Sequence, residues 1–216
     1  MFITNYPALK LENNLVITDL HLGISYEFKR DGFFVPSQLK KLSKQVNKLL
    51  DETKTKKLII VGDFKHAVPG TPKKEKRELR QFVKKLKKDL IVIKGNHDSL
   101  IEKIVDVTVR KKMILDDFTL THGHIKTKGE KFIIGHNHPL VMFKDKEKMT
   151  YRQRAWIISK NVIIMPAFNK LAGGVAMNKK DVELKGPIAK NIDLLNSKAH
   201  LLDGTHLGKI KDILVE

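Results

Sequence analysis

Five short apolar segments of this chain each end in a cluster of histidine, aspartate or asparagine residues. The segments are rich in Val, Ile and Leu, and they are therefore predicted to be buried strands. With their polar ends they read LVITDLH, LIIVGDFKH, LIVIKGNHD, FTLTHGH and FIIGHNH, and they hold seven of the nine histidines. Because the carboxyl ends of strands in an open α/β sheet face a common crevice, the polar residues are expected to meet there.

Two helical patterns lie between the early strands. Apolar residues recur at three- and four-residue spacing in residues 39–49 and again in residues 79–86, as on the buried face of a helix. Strands that alternate with helices predict a layered α/β fold. After about residue 110 the helical periodicity fades, and further strand-like runs, which end with 161–168, predict a second sheet. Residues 175–216 carry no pattern that assigns their structure.

The length and charge of the chain bound its organisation and its partners. A chain of 216 residues without a Ser/Gly-rich linker predicts one domain over residues 1–216, with the motifs confined to residues 15–174. The 42 Lys and Arg residues outnumber the 24 Asp and Glu residues, and the net charge of +18 favours anionic partners such as phosphates or nucleic acid. No signal-peptide pattern and no apolar run of ~18 residues is present, so we expect a cytoplasmic protein without membrane contact.

The polar clusters have the composition of a metal site. Asp-x-His and His-x-His project two side chains from one edge of an extended segment, and an aspartate can bridge two ions. The sequence contains no cysteine, so imidazole, carboxylate and amide groups are the available ligands. They suit divalent Mn²⁺, Fe²⁺, Zn²⁺ or Ni²⁺. A pair of polar residues in a surface turn would explain one His-x-His, but it does not explain five clusters.

The order of the clusters carries a family resemblance. Five motifs lie in order between residues 19 and 138: D-x-H, G-D-x-x-H, G-N-H-D, H-G-H and G-H-x-H. They resemble the motifs of the calcineurin-like metallophosphoesterase superfamily. The resemblance implies a four-layer α/β/β/α sandwich with two divalent metal ions, for which Mn²⁺ is favoured. It implies that one ion is held by Asp19, His21 and His138, that the other is held by Asn96, His122 and His136, and that Asp63 bridges them.

The same resemblance assigns roles near the metals. His97 is expected to act as general acid or electrostatic stabiliser, with Asp98 orienting it, although Asp98 could equally cap a helix. His66 contacts the scissile phosphate in the repair-nuclease branch of the family, or it is a turn residue beside the site. His124 is expected to form a hydrogen bond near the site without binding metal. His200 and His206 belong to no motif and are predicted to lie on the surface.

Finer features indicate a branch of the superfamily. Protein phosphatases of this superfamily carry an Asp-Arg pair after the G-D block, and this chain has GDFKH instead. Four segments resemble those of the subgroup related to double-strand-break DNA repair nucleases: DLHLG, GDFKH, GHNHP and MPAFNKLAGG. This subgroup includes ligase-associated phosphoesterases and archaeal relatives. The PAF and GG of the last block could also be a strand end and a turn. The 78 residues after His138 are too few for both a second sheet and a large capping domain, so no capping domain is expected.

These observations predict a dinuclear metal-dependent phosphodiesterase or nuclease. Its substrate is expected to be nucleic acid or a nucleotide, attacked in line by a metal-bridging hydroxide. The alternatives are a small-molecule phosphomonoesterase and a nucleic-acid-binding module with a structural metal site. The predicted helix over residues 73–88 holds nine Lys or Arg residues against two Glu, which indicates a solvated face or a nucleic-acid contact. The sequence does not predict the oligomeric state.

Overall fold

The computed structural model describes residues 1–215, and its first sheet contains the early strands predicted from the sequence. The strands are β1 (Leu9–Leu11), β2 (Asn14–Ile17), β3 (Lys57–Val61), β4 (Asp89–Ile93) and β5 (Thr108–Arg110). They lie in the order β1-β2-β3-β4-β5. β1 is antiparallel to β2, and the other neighbours are parallel. The carboxyl ends of β2, β3 and β4 therefore lie at one edge of the sheet.

Three α-helices lie within residues 1–215: α1 (Ile24–Arg30), α2 (Leu39–Thr53) and α3 (Lys73–Lys85). α2 and α3 connect consecutive parallel strands, as the alternating pattern predicts, and their predicted apolar faces are buried against the first sheet. α3 ends at Lys85, three residues before the predicted end. The sequence patterns did not indicate the seven-residue α1. None of these helices is long and apolar enough to cross a lipid bilayer.

The second sheet forms the other half of the molecule. Its strands are β6 (Met113–Leu115), β7 (Phe118–Leu120), β8 (Lys131–Ile134), β9 (Pro139–Lys144), β10 (Thr150–Ile158), β11 (Val162–Ile164), β12 (Val175–Ala176), β13 (Lys198–Leu201) and β14 (His206–Lys209). The order is β12-β9-β10-β11-β8-β7-β6, and β13 joins β10 to β14. β11 ends two residues before Pro166, because proline cannot donate to a strand ladder, so the strand predicted over 161–168 is shorter than expected.

Alternating side chains divide the apolar residues into three packed layers. In β3, Leu58 and Ile60 face the helices while Ile59 and Val61 face the second sheet, as the two-residue period of a strand requires. In β8, Ile133 completes the layer between the sheets. This arrangement is the predicted α/β sandwich, and the fold class is confirmed.

The layer on the outer face of the second sheet differs from the expectation of helices. It is built by residues 182–215, in which short 3₁₀ turns and the β13–β14 hairpin replace α-helices. Leu184, Ile188 and Ile210 of this segment are buried against Ile134 of β8. The segment that the sequence left unassigned therefore covers the second sheet.

Candidate metal centre

The predicted metal ligands occupy unusual backbone conformations at the ends of the strands. Five of them have left-handed φ angles: Asp19 (52°), His21 (43°), Asp63 (52°), His136 (69°) and His138 (43°). Residues with a Cβ rarely adopt these angles, and such conformations cost about 1–3 kcal/mol each unless the surrounding structure imposes them. Their concentration at one edge of the sandwich indicates a functional site.

Two glycines allow the strand ends to converge. A Cβ atom at Gly95 would lie 2.0 Å from Asp63 Oδ1, and one at Gly62 would lie 2.2 Å from His122 Nδ1. Gly62 also has a φ of 85°. Only glycine leaves room for these side chains, which explains the glycine in the G-D and G-N-H-D motifs.

Asp19, His21 and His138 form the first group of metal-ligating atoms, which lie within 4.8 Å of one another. His138 Nε2 is 3.0 Å from Asp19 Oδ1 and 3.4 Å from His21 Nε2. His138 Nδ1 donates to the carbonyl of Ala172 at 3.2 Å. This bond fixes the ring so that Nε2 faces the group, as in protein metal sites.

Asp63, His122 and His136 form the second group with the same spacing. His122 Nδ1 donates to the carbonyl of Val61 at 3.0 Å, which leaves Nε2 to face Asp63 Oδ2 at 3.2 Å and Asn96 Oδ1 at 3.1 Å. Asp63 Oδ2 is also 3.7 Å from His21 Nε2 of the first group. One carboxylate oxygen of Asp63 is therefore within 4 Å of a ring nitrogen from each group.

The protonation of the centre follows from burial and from its two carboxylates. Burial lowers the pKa of His21 to about 3 and that of His136 to about 4, so both rings are neutral at pH 7. Burial alone would also lower the pKa of His122, but Asp63 raises it to about 9. The two buried carboxylates therefore favour the protonated form of the neighbouring His122 ring. Nitrogen and oxygen donors around such carboxylates fit divalent cations, which would replace the protons.

His97 lies beside both groups. Its main-chain N–H donates to Asp63 Oδ1 at 3.0 Å, and its ring Nδ1 donates to the carbonyl of His66. The ring lines the same pocket of about 260 Å³ as His21, Asp63 and His136. The structure therefore places His97 where a substrate in that pocket would be reached.

Asp98 makes other contacts than the sequence suggests. Its carboxylate accepts hydrogen bonds from the main-chain N–H groups of Gly95 at 2.9 Å and Lys65 at 3.1 Å. It neither caps a helix, since the 3₁₀ turn that follows begins at Ile101, nor bonds to the His97 ring. Burial raises its pKa to about 6. Asp98 therefore shapes the loop that carries Asn96 and His97 rather than orienting the ring directly.

The His66 ring faces two other side chains. Its Nε2 faces the Glu27 carboxylate, and its Nδ1 lies 3.2 Å from His21 Nδ1. The main-chain N–H of His66 donates to Glu75 Oε1 at 2.7 Å. Both ring nitrogens therefore face protein atoms, and the expected contact of His66 with a phosphate stays a prediction. The sequence motifs did not reveal Glu27, which lies on α1.

The other histidines differ in their relation to the centre. His124 Nδ1 is buried without a hydrogen-bond partner among the described residues, so the expected hydrogen bond is not observed for this atom, and its ring centre lies 5.3 Å from that of His122. His200 and His206 belong to none of the metal-ligating groups of residues 1–215. Their rings lie 4.6 Å apart across the β13–β14 hairpin.

Lys185 reaches the pocket from the segment that the sequence left unassigned. Its main-chain N–H donates to Asn137 Oδ1 at 2.7 Å, and its carbonyl accepts from Asn137 Nδ2 at 3.0 Å. Asn137 stands between His136 and His138. The two bonds therefore fix Lys185 to the motif that carries both histidines.

A family profile and solved structures are similar to this chain. A sequence profile of the family described as calcineurin-like phosphoesterase matches residues 14–190. The crystal structure of Pseudomonas putida nuclease MPE matches with a TM-score of 0.59 and 24% identity over 88% of this chain and 85% of that chain. Phosphoesterase YfcE from E. coli matches with a TM-score of 0.41 and 14% identity over 91% and 97% of the two chains. The Pseudomonas match supports the sandwich fold.

A match to a curated protein is short. A leucine–tRNA ligase of Borrelia garinii subsp. bavariensis is 30% identical over 132 residues. The match covers 58% of this chain and 15% of the ligase. Because so little of the ligase is covered, its activity is not carried over to this chain.

Proposed function

Because this chain belongs to the calcineurin-like phosphoesterase family, we propose that this metal-dependent phosphoester hydrolase is a dinuclear phosphodiesterase or nuclease acting on nucleic acid or nucleotides. The observation that carries the proposal is that Asp63 Oδ2 lies 3.2 Å from His122 Nε2 of its own group and 3.7 Å from His21 Nε2 of the first group. A carboxylate within reach of both groups is the arrangement that a two-metal phosphoesterase needs.

The first ion would be held by Asp19, His21 and His138, the second by Asn96, His122 and His136, with Asp63 shared. Mn²⁺ suits a set of imidazole, carboxylate and amide donors without thiolate. When bound, such ions activate a water molecule as the nucleophile and neutralise charge on the phosphoryl oxygens. The internal hydrogen bonds of His122 and His138 to backbone carbonyls hold their Nε2 atoms ready for this role.

His97 would serve as the proton donor to the leaving oxygen. The His66 carbonyl accepts from its Nδ1, which orients the ring. Its side chain is 26% exposed, so a substrate in the pocket can contact Nε2. Asp98 would position this residue through the loop rather than through the ring.

Lys185 would contact a non-bridging phosphate oxygen. Its side chain is exposed at the pocket, and its backbone is fixed by Asn137. An ammonium group at the pocket would add attraction for the substrate anion.

A basic face on α3 favours nucleic acid over small molecules. The two glutamates of this helix are buried and form hydrogen bonds inside the protein. Glu75 accepts from the main-chain N–H groups of His66 and Ala67. Glu78 accepts from the hydroxyl groups of Tyr26 and Ser37. The residues that line a groove on its outer side include Lys73, Lys76, Arg77, Arg80 and Lys84. In the described chain no ion pair is formed by these five residues. An uncompensated row of cations attracts a phosphate backbone.

A substrate panel tests the proposal. Mn²⁺-loaded protein should hydrolyse bis(4-nitrophenyl) phosphate faster than 4-nitrophenyl phosphate, and it should cleave single-stranded or duplex DNA. Cyclic nucleotides complete the panel. Preference for the monoester together with inactivity on DNA would support the small-molecule phosphomonoesterase instead.

A further inference from the structure

A second cavity lies beside the metal pocket. It has a volume of about 520 Å³, and its lining includes Leu140, Arg152, Arg154, Lys170, Gly173 and Asp203. The metal pocket is lined by Ala172 and Gly174 of the same turn. The turn over residues 170–174 is therefore a common wall of the two sites. We call this second cavity the side cavity.

The side cavity has an excess of positive charge. Arg152, Arg154 and Lys170 contribute three cations, and Asp203 is the single acid among the described lining residues. The Asp203 carboxylate already accepts a hydrogen bond from the main-chain N–H of Thr205 at 2.9 Å. Within residues 1–215, none of the three cations forms an ion pair with an acid. A cavity of this kind binds anions.

Arg154 gives the side cavity a fixed donor. One guanidinium nitrogen, Nη1, donates to the carbonyls of Ala167 at 2.9 Å and Phe168 at 3.1 Å. These bonds hold the half-buried side chain at the rim of the metal-bearing edge, since Phe168 N–H donates to the carbonyl of Thr18 beside Asp19. The remaining nitrogens of the planar guanidinium have no acceptor in the part of the chain that the structure describes, so they can offer phosphate the fork geometry that it prefers.

We propose that the side cavity binds a second, non-scissile phosphate of the substrate strand while the scissile phosphate occupies the metal pocket. This inference rests on the proposed function. The shared wall makes the two phosphates neighbours along one strand. The side cavity would therefore distinguish a polynucleotide from a substrate with a single phosphate.

Binding of a short strand tests the inference. Fluorescence anisotropy would measure the affinity of chelator-treated protein for a fluorescein-labelled thymidine hexanucleotide, which is not cut without metal. Replacing both exposed cations, Arg152→Gln with Lys170→Gln, should weaken binding about ten-fold. A matched control, Lys40→Gln with Lys44→Gln on the outer side of α2, removes the same charge and should change the affinity less than about two-fold.

A neutral-backbone strand identifies the group that is bound. When all the phosphates are replaced by uncharged methylphosphonates, the difference in affinity between the unmodified protein and the side-cavity variant should disappear, because the partner charge is gone. Equal losses for the side-cavity and control variants, or a loss that persists on the neutral strand, would overturn the inference. Hydrolysis of bis(4-nitrophenyl) phosphate by the unmodified Mn²⁺-loaded protein tests the proposed function separately.

Discussion

The metal centre and the basic face of α3 differ in the burial and the fixation of their charged groups. At the centre, Asp19 and Asp63 are buried in left-handed backbone conformations, and backbone carbonyls fix the rings of His122 and His138. On the basic face, most of the cations are exposed, and they lack acidic partners among the described residues. The centre therefore depends on the position of single atoms, whereas the basic face depends on the number of charges.

This difference predicts how each region responds to substitution. A change of one atom at the centre should remove function without removing the fold, because the apolar layers are formed elsewhere. A change of one charge on the basic face should have a small effect, because exposed charges are screened by solvent and salt.

Replacing the shared carboxylate should have the largest effect. Asp63→Asn removes the charge that both groups share, so kcat/KM for bis(4-nitrophenyl) phosphate should fall at least about 100-fold, with loss of bound Mn²⁺. Arg77→Gln on the basic face is the control and should change the rate less than about two-fold on this small substrate. A fully active, metal-loaded Asp63→Asn protein would remove the contrast between the regions.

His97→Ala should give a loss that depends on the leaving group. A general acid contributes about 10²- to 10⁴-fold where the departing oxygen needs a proton. The sugar alkoxide from a thymidine dinucleotide needs one, but nitrophenolate does not. Activity on the dinucleotide should therefore fall sharply, while much of the activity on bis(4-nitrophenyl) phosphate is spared and the metal content is unchanged. Equal losses on both substrates would assign His97 to charge stabilisation instead.

Gly95→Ala should lower the Mn²⁺ affinity of the centre, although it adds only a methyl group. The added Cβ would lie 2.0 Å from Asp63 Oδ1, so Asp63 must move, and Mn²⁺ affinity should fall about ten-fold or more. Gly70→Ala is the control, because that glycine also has a left-handed φ but nothing lies within 4 Å of the added atom. It should cost only about 1 kcal/mol of unfolding free energy. Calorimetric titration with Mn²⁺ would measure the metal affinity of both variants, and thermal unfolding would measure their stability. Equal Mn²⁺ affinities of Gly95→Ala and Gly70→Ala would contradict a role of Gly95 in positioning Asp63.

The basic face should show only a graded effect. If it binds nucleic acid, replacing Lys73, Arg77 and Lys84 with Gln should reduce the slope of log affinity against log salt by about 0.7–0.9 for each phosphate charge that is no longer neutralised. Lys87→Gln is the control, because Lys87 already pairs with Asp51 at 2.5 Å. A flat salt dependence in the unmodified protein would assign the charge to solubility.

Much of the first sheet is predictable because parallel buried strands appear as continuous apolar runs. β2, β3 and β4 are of this kind. β10 is different: residues 150–153 of this strand are exposed, so this part of it lacks the continuous apolar run of a buried strand. The outer layer over residues 182–215 was not predicted, because short 3₁₀ turns do not produce the apolar spacing of an α-helix.

The candidate ligands could be selected from sequence because each motif is short and its residues act together. The supporting groups could not, because their partners are distant in the chain. Glu27 lies 39 residues from His66, and Lys185 lies 48 residues from Asn137. Asp98 was selected from its motif, but its bonds to the main-chain N–H groups of Gly95 and Lys65 are not revealed by any residue pattern.

The number of metal ions bound per chain tests the central claim most directly. Calorimetric titration of chelator-treated protein with Mn²⁺, checked by elemental analysis after removal of free metal, should give two ions per chain. His97→Ala should leave that number unchanged, and Asp63→Asn should reduce it. A protein that binds no ion, or one ion that Asp63→Asn does not disturb, would contradict a dinuclear centre built around Asp63.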